Sequence, residues 1–133
     1  MGLDAEGLVK LAAQHPAVYI RVKAARVRNG NVVTAASTLA EVMRGGPKDA
    51  RLHQVLRRIT VIPIDKQVGR AAGELLGRTR LSGHRCALDA LLAVVALEQP
   101  RPVILLTSDP NDLVRLTEES GRRRTERVAV ARI

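Results

Sequence analysis

Segments with helical spacing of apolar residues alternate with short β-branched runs along the whole chain, and this alternation constrains the fold most. It selects an α/β domain with a mostly parallel sheet, because parallel neighbours need a crossover, usually a helix, between them. Leu8, Leu11, Ala12 and His15 follow helical spacing, and Pro16 opens a second helix through Arg28 before the Asn29–Gly30–Asn31 turn. Asn31–Thr34 reads as a short strand. Thr38-Leu-Ala-Glu41 has capping-box spacing, with a helix to Arg44 that Gly45–Gly46–Pro47 ends. Leu52, Val55, Leu56 and Ile59 mark a further helix and Thr60–Ile64 a strand. Asp65 can cap the helix bearing Val68, Ala72, Leu75, Leu76 and Thr79, which Ser82–Gly83 breaks. Ala87–Glu98 is expected to be helical, Pro102–Thr107 a buried strand, Pro110–Ser120 a helix and Arg127–Ile133 the last strand. Four strands are clear, and the residues before Asp4 supply a fifth candidate.

At 133 residues one domain, 1–133, is expected. The 46% hydrophobic content supports a packed core rather than disorder, and it comes almost wholly from aliphatic residues, with Tyr19 the single aromatic. Cys86 has no partner for an internal disulfide, which points to a reduced, cytoplasmic setting and a small buried side chain. The longest apolar run, Ala90–Leu97, is far shorter than the roughly 20 residues of a membrane span. No membrane association and no signal peptide are expected. Against 13 acids stand 22 Lys and Arg, a formal charge of +9. That balance points to a polyanion such as nucleic acid, the competing explanation being a generally basic composition. With Tyr19 alone to stack on bases, contact would run mainly through phosphates.

The most informative residue is Asp89. Cys86–Leu97 reads C-A-L-D-A-L-L-A-V-V-A-L, with no other charged side chain, and a helix apolar nearly all round is buried on most sides. An acid in such a run is usually paired, protonated or bound to a cation. Arg85, four residues earlier, offers a local ion pair as the plain alternative. A second signal is Leu105-Leu-Thr-Ser-Asp109-Pro-Asn-Asp112, where an apolar strand delivers two carboxylates into the first turn of a helix. Capping explains either acid taken alone, and the same holds for Asp4 and Glu41. Topology changes the weighting: residues that follow parallel strands gather at the carboxyl edge of the sheet, where such folds place ligands. Clustered acids repel unless cations neutralise them, and an all-oxygen set suits Mg²⁺ or Mn²⁺ rather than zinc. His15, His53 and His84 show no metal-ligand spacing with Cys86 and read as structural, and neither a phosphate-cradling Gly-rich loop nor a nucleophile elbow occurs.

Taken in order, Leu3-Asp4-Ala5, Thr38-Leu-Ala-Glu41-Val, Gly83-His-Arg-Cys-Ala-Leu-Asp89-Ala-Leu-Leu-Ala and Leu106-Thr-Ser-Asp109-Pro-Asn-Asp112-Leu resemble the PIN-domain ribonucleases, most of all the VapC-type toxins of toxin–antitoxin pairs. Each motif is weak alone; the ordered set covers nearly the whole chain. The resemblance implies a Rossmann-like three-layer α/β/α sandwich around a sheet of four to five strands. It implies metal-assisted hydrolysis of single-stranded RNA with Mg²⁺ or Mn²⁺ and no covalent protein intermediate. Matched by position, Asp4, Glu41, Asp89 and Asp109 would be the acidic quartet and Asp112 an auxiliary acid, with Asp4, Asp89, Asp109 and Asp112 as metal ligands. Thr107 and Ser108 would shape the end of the strand before Asp109, and Ser108 would face the substrate. The resemblance also implies a homodimer and a cognate antitoxin whose C-terminal segment lies along the active-site groove.

Two departures stand out. Only Met1–Gly2–Leu3 precede Asp4, so a clipped first strand is expected, and Glu6 stands where a small polar residue is common in the family. Setting aside the five site acids leaves 8 acids against 22 bases, so a basic rim around an acidic pocket is expected. Arg44 and Arg85 are the candidate RNA contacts, together with Arg122–Arg124, whose alternative is a solvated charge run. Two other functions are open to the same residues: a non-catalytic nucleic-acid-binding or interaction domain of this fold, and a housekeeping RNA-processing nuclease.

Overall fold

The computed structural model describes all 133 residues. Its five strands are β1 (Gly2–Leu3), β2 (Val33–Ala35), β3 (Thr60–Ile62), β4 (Val103–Thr107) and β5 (Val128–Arg132), and its seven helices are α1 (Ala5–Ala12), α2 (Pro16–Val27), α3 (Ala36–Val42), α4 (Ala50–Leu56), α5 (Lys66–Thr79), α6 (Gly83–Leu97) and α7 (Pro110–Leu116). The strands form one sheet in the order β3-β2-β1-β4-β5, and every adjacent pair is parallel.

The shortest strand holds the centre. Gly2 pairs with Val33 of β2 and Leu105 of β4, Leu3 pairs with Leu106, and the terminal ammonium of Met1 donates to the Asn31 carbonyl at 2.7 Å. Two residues suffice because both flanks are paired and Leu3 is fully buried. A Cβ on Gly2 would lie 2.9 Å from Leu105 Cδ1, so glycine lets β4 approach at this point.

Side chains alternate across the sheet and feed two cores. Val33, Ala35, Val103 and Leu105 face a cluster with Val68, Ala72 and Leu75 of α5, the apolar run Ala90–Ala96 of α6, and Leu113 and Leu116 of α7. Leu3 and Leu106 face the other way, against Leu8 and Leu11 of α1, Val18 and Val22 of α2, and Leu52 of α4. The result is an α/β/α sandwich with α1–α4 over one face and α5–α7 over the other. The chain builds outward from β1 on one side through β2 and β3 and on the other through β4 and β5, which opens a crevice at the carboxyl ends of β1 and β4.

Several boundaries differ from the sequence expectation. Thr38 is no helix cap: β2 runs directly into α3, Ala35 takes the N-cap position without a side-chain bond, and Thr38 is buried inside the helix. That start is set by the sheet rather than by local capping, so Glu41 falls in the last turn of α3. Helix α6 begins at Gly83, four residues before Ala87: after α5 ends at Thr79 the backbone is extended at Ser82, whose side chain makes no capping bond. Helix α7 stops at Leu116 instead of Ser120. Beyond it Glu119 is held by Arg101 through a two-pronged ion pair of 2.6 and 3.0 Å, and Arg101 also donates to the Leu97 and Glu126 carbonyls. Asp65 caps α5 as expected, accepting from the Val68 amide at 2.8 Å. No helix is long and apolar enough to cross a membrane.

Candidate functional site

Three of the acids sit where the sheet ends. Asp4 follows β1 directly, its amide bonded to the Leu106 carbonyl at 3.2 Å, and its Oδ1 accepts from the Gly7 amide at 2.7 Å as the N-cap of α1. The capping role expected of Asp4 is therefore real, and it occupies one of two oxygens. Asp109 stands two residues beyond β4, with its amide held by Thr107 Oγ1 at 3.1 Å, but its carboxylate makes no capping bond to α7. Local structure thus explains the position of Asp109 and not the need for its charge. Asp112 lies in the first turn of α7, where its Oδ2 accepts from the Cys86 thiol at 3.6 Å.

Asp89 and Glu41 reach the same crevice from helices. The helix α6 is less enclosed than its composition implied: Ala87 and Leu88 are exposed and Asp89 is half-buried, while the fully buried stretch starts at Ala90. Arg85 is exposed and forms no ion pair with Asp89; the ion pairs of the structure are Lys10–Glu6, Arg101–Glu119 and Arg122–Glu119. The local-pair explanation for Asp89 is therefore not what the structure shows.

Mutual repulsion ties the acids together. Burial, followed by the charges of Asp112, Asp4 and Asp109, pushes the Asp89 carboxyl above the ordinary aspartate range. Glu41 is raised by burial and then by Asp89 and Asp4. The Cys86 thiol is pushed up by its burial and by Asp112, with Arg85 acting weakly the other way. The charges of Asp4, Asp109 and Asp112 thus reach Asp89, those of Asp89 and Asp4 reach Glu41, and no lysine or arginine pairs with any of the five.

The donor set is entirely oxygen, which fits a hard divalent cation. No three His, Cys, Asp or Glu side chains stand close enough to enclose an ion. Mg²⁺ commonly takes only one or two protein carboxylates and completes its octahedron with water and substrate phosphate, so an open arrangement suits it better than a cage. The residues fit such an ion in chemistry and charge.

The remaining expected positions are more varied. Ser108 is exposed in the turn between β4 and α7, and Arg85 lies one helical turn before Asp89. Arg44 folds back onto the end of α3, donating to the Ala40, Glu41 and Met43 carbonyls at 2.6–3.1 Å, so its guanidinium already has partners. Arg122–Arg124 are exposed, and Arg122 pairs with Glu119 at 3.3 Å. Sequence reasoning overlooked two hydroxyls beneath the acids. Thr34 Oγ1 donates to the Leu3 carbonyl at 2.8 Å, joining β2 to β1 just before Asp4. Ser37 Oγ, four residues before Glu41 in α3, is buried without a partner. A polar pair interrupting the Val33-Thr-Ala-Ala-Ser37 run was the available signal.

No family model and no curated protein sequence matches the chain. Among solved structures it is similar to a chain of VapBC2 from Rickettsia felis, in a crystal structure bound to a DNA fragment from its promoter. The superposition covers 99% of this chain and 97% of that one, with a TM-score of 0.68 and 18% identity. The chain therefore has a PIN-like fold, an α/β/α sandwich on a five-stranded parallel sheet, with its acids gathered at the sheet's carboxyl edge.

Proposed function

We propose that the chain is a Mg²⁺- or Mn²⁺-dependent endoribonuclease acting on single-stranded RNA, the toxin of a toxin–antitoxin pair. The observation that carries the reading is the convergence of Asp4, Glu41, Asp89, Asp109 and Asp112, from four helices and their N-caps, into one crevice where the acids raise Asp89 and Glu41 and no basic residue pairs with them. Such a cluster costs stability, and proteins keep that kind of cost where function needs it.

When bound, the divalent ion supplies Lewis acidity toward phosphate and lowers the pKa of water near neutrality. Asp4, Asp89, Asp109 and Asp112 would hold it, directly or through water, and Asp4 is fixed for this by its bond to the Gly7 amide. Glu41, raised first by burial and then by Asp89 and Asp4, is placed to accept a proton from the attacking water. Cys86 steers Asp112 by donating to one of its oxygens. Arg85 and Ser108, exposed beside the crevice, bind the RNA backbone. No covalent step on the protein is needed.

The solved structure it is similar to contains VapBC2 on promoter DNA, which supports an antitoxin partner here too. We expect a homodimer in which an antitoxin segment covers the acidic crevice, a cationic side chain competing there with metal. The test is incubation of the purified protein with total RNA and Mn²⁺, with cleavage ends mapped, alongside excess EDTA. Defined ends that vanish with EDTA support the reading. Cleavage that survives EDTA contradicts the mechanism, and RNA binding without cleavage in Mn²⁺ favours a non-catalytic domain. Growth inhibition on expression alone separates a toxin from a processing nuclease.

A further inference from the structure

A second, oppositely charged cleft lies at the far end of α1. It has a volume of about 420 Å³ and is walled by the end of α1, by α2 and by α4 with the turn that follows it. Arg26, Arg51, Arg57 and Arg58 line it with Gln54 and Tyr19, and no acidic residue does. None of these four arginines belongs to an ion pair; the one side-chain bond among them runs from Arg26 Nη2 to the Arg58 carbonyl at 3.1 Å. Four uncompensated guanidiniums around one concavity repel one another, and a phosphate chain relieves that repulsion with two-pronged hydrogen bonds. Tyr19, the single aromatic side chain of the protein, is 47% exposed there and offers a face for a base to stack on. The volume falls in the range of about 300–1,000 Å³ typical of ligand sites.

We propose that this cleft is a binding site for a single-stranded RNA segment, gripping phosphates with Arg26, Arg51, Arg57 and Arg58 and stacking one base on Tyr19. It is separate from the acidic crevice: Asp4 caps the start of α1 and Ala12 ends it, eight residues or about 12 Å of helix rise away. One strand can therefore lie in both, held by the basic cleft while a more distant phosphate enters the acids. The proposal rests on the ribonuclease reading for its choice of RNA. Its test is binding without catalysis, so that the two can fail separately.

The experiment is fluorescence anisotropy with a labelled 12-nucleotide oligouridylate in EDTA, over a range of salt concentrations. The wild type is compared with the triple variant Arg51→Gln, Arg57→Gln, Arg58→Gln, with Tyr19→Ser, and with Arg70→Gln, Arg78→Gln on α5, across the sheet from the cleft, as a control. These side chains are all exposed or nearly so, and circular dichroism reports whether each variant is folded. The triple variant should lose about two units of the salt slope and bind at least about tenfold more weakly. Tyr19→Ser should weaken binding by roughly fivefold or more with an unchanged slope. The control should bind like wild type. Equal loss in the control and the triple variant overturns the proposal, as does tighter binding of a decaglutamate peptide than of the RNA, which assigns the cleft to an acidic protein segment. RNA binding that persists in a protein showing no nuclease activity leaves the cleft standing and removes only the catalytic reading.

Discussion

Replacing Asp89 with asparagine separates a structural acid from a metal ligand. Asp89 accepts no hydrogen bond and forms no ion pair, so the near-isosteric amide forfeits no native interaction. What it removes is a charge disfavoured by partial burial and by Asp112, Asp4 and Asp109. A group whose pKa is raised on folding contributes stability at low pH that is lost as the pH rises through the folded value, so at neutral pH the ionised Asp89 is a net cost. Each exposed like-charge contact is worth a few tenths of a kcal/mol after solvent screening, so three of them plus partial desolvation give on the order of 1 kcal/mol. For a chain of this size that raises the melting temperature of the metal-free protein by about 3–5 °C at pH 7, an advantage that fades toward pH 4. RNA cleavage should fall by at least about a hundredfold, and calorimetric Mn²⁺ binding should fall with it. A variant that melts lower than wild type while binding Mn²⁺ and cutting RNA normally would refute the reasoning.

Three further outcomes test the scaffold. Gly2→Val should destabilise the protein by about 1–3 kcal/mol, read from urea unfolding, because the new side chain meets buried Leu105 at the central strand. Glu119 is held below the ordinary glutamate range, first by its hydrogen bonds from Arg101; its stabilisation is therefore complete above the unfolded pKa and disappears as the pH drops through the folded one. Glu119→Gln should lower the melting temperature at pH 7 and converge with wild type at strongly acidic pH. Asp65→Ala, which deletes the bond to the Val68 amide at 2.8 Å, should cost about 1 kcal/mol and leave RNA cleavage unchanged.

The sequence disclosed the architecture because its alternation is strong: α2, α5, β4 and β5 fall within two residues of expectation, and parallel pairing follows from the intervening helices. It misjudged α3 and α6, whose starts depend on how β2 and α5 hand the chain on rather than on cap chemistry. The site acids were legible because an acid within Ala87–Leu91 violates local expectation, and because Asp109 and Asp112, which capping explains singly, follow an apolar strand to the carboxyl edge of a parallel sheet. The arginines of the second cleft were not. Arg26, Arg51, Arg57 and Arg58 come from two separated segments of a chain rich in arginine throughout, and only the packing of both α2 and α4 on α1 makes them one surface.

The central claim is that the acids at the carboxyl edge hold a divalent ion. The direct measurement is anomalous diffraction at the manganese edge from crystals grown with Mn²⁺. The account predicts a peak in the crevice within ligand distance of at least one of Asp4, Asp89 and Asp109, directly or through water, that disappears in Asp89→Asn crystals. Crystals with Mn²⁺ at other carboxylates and none in this crevice would contradict it.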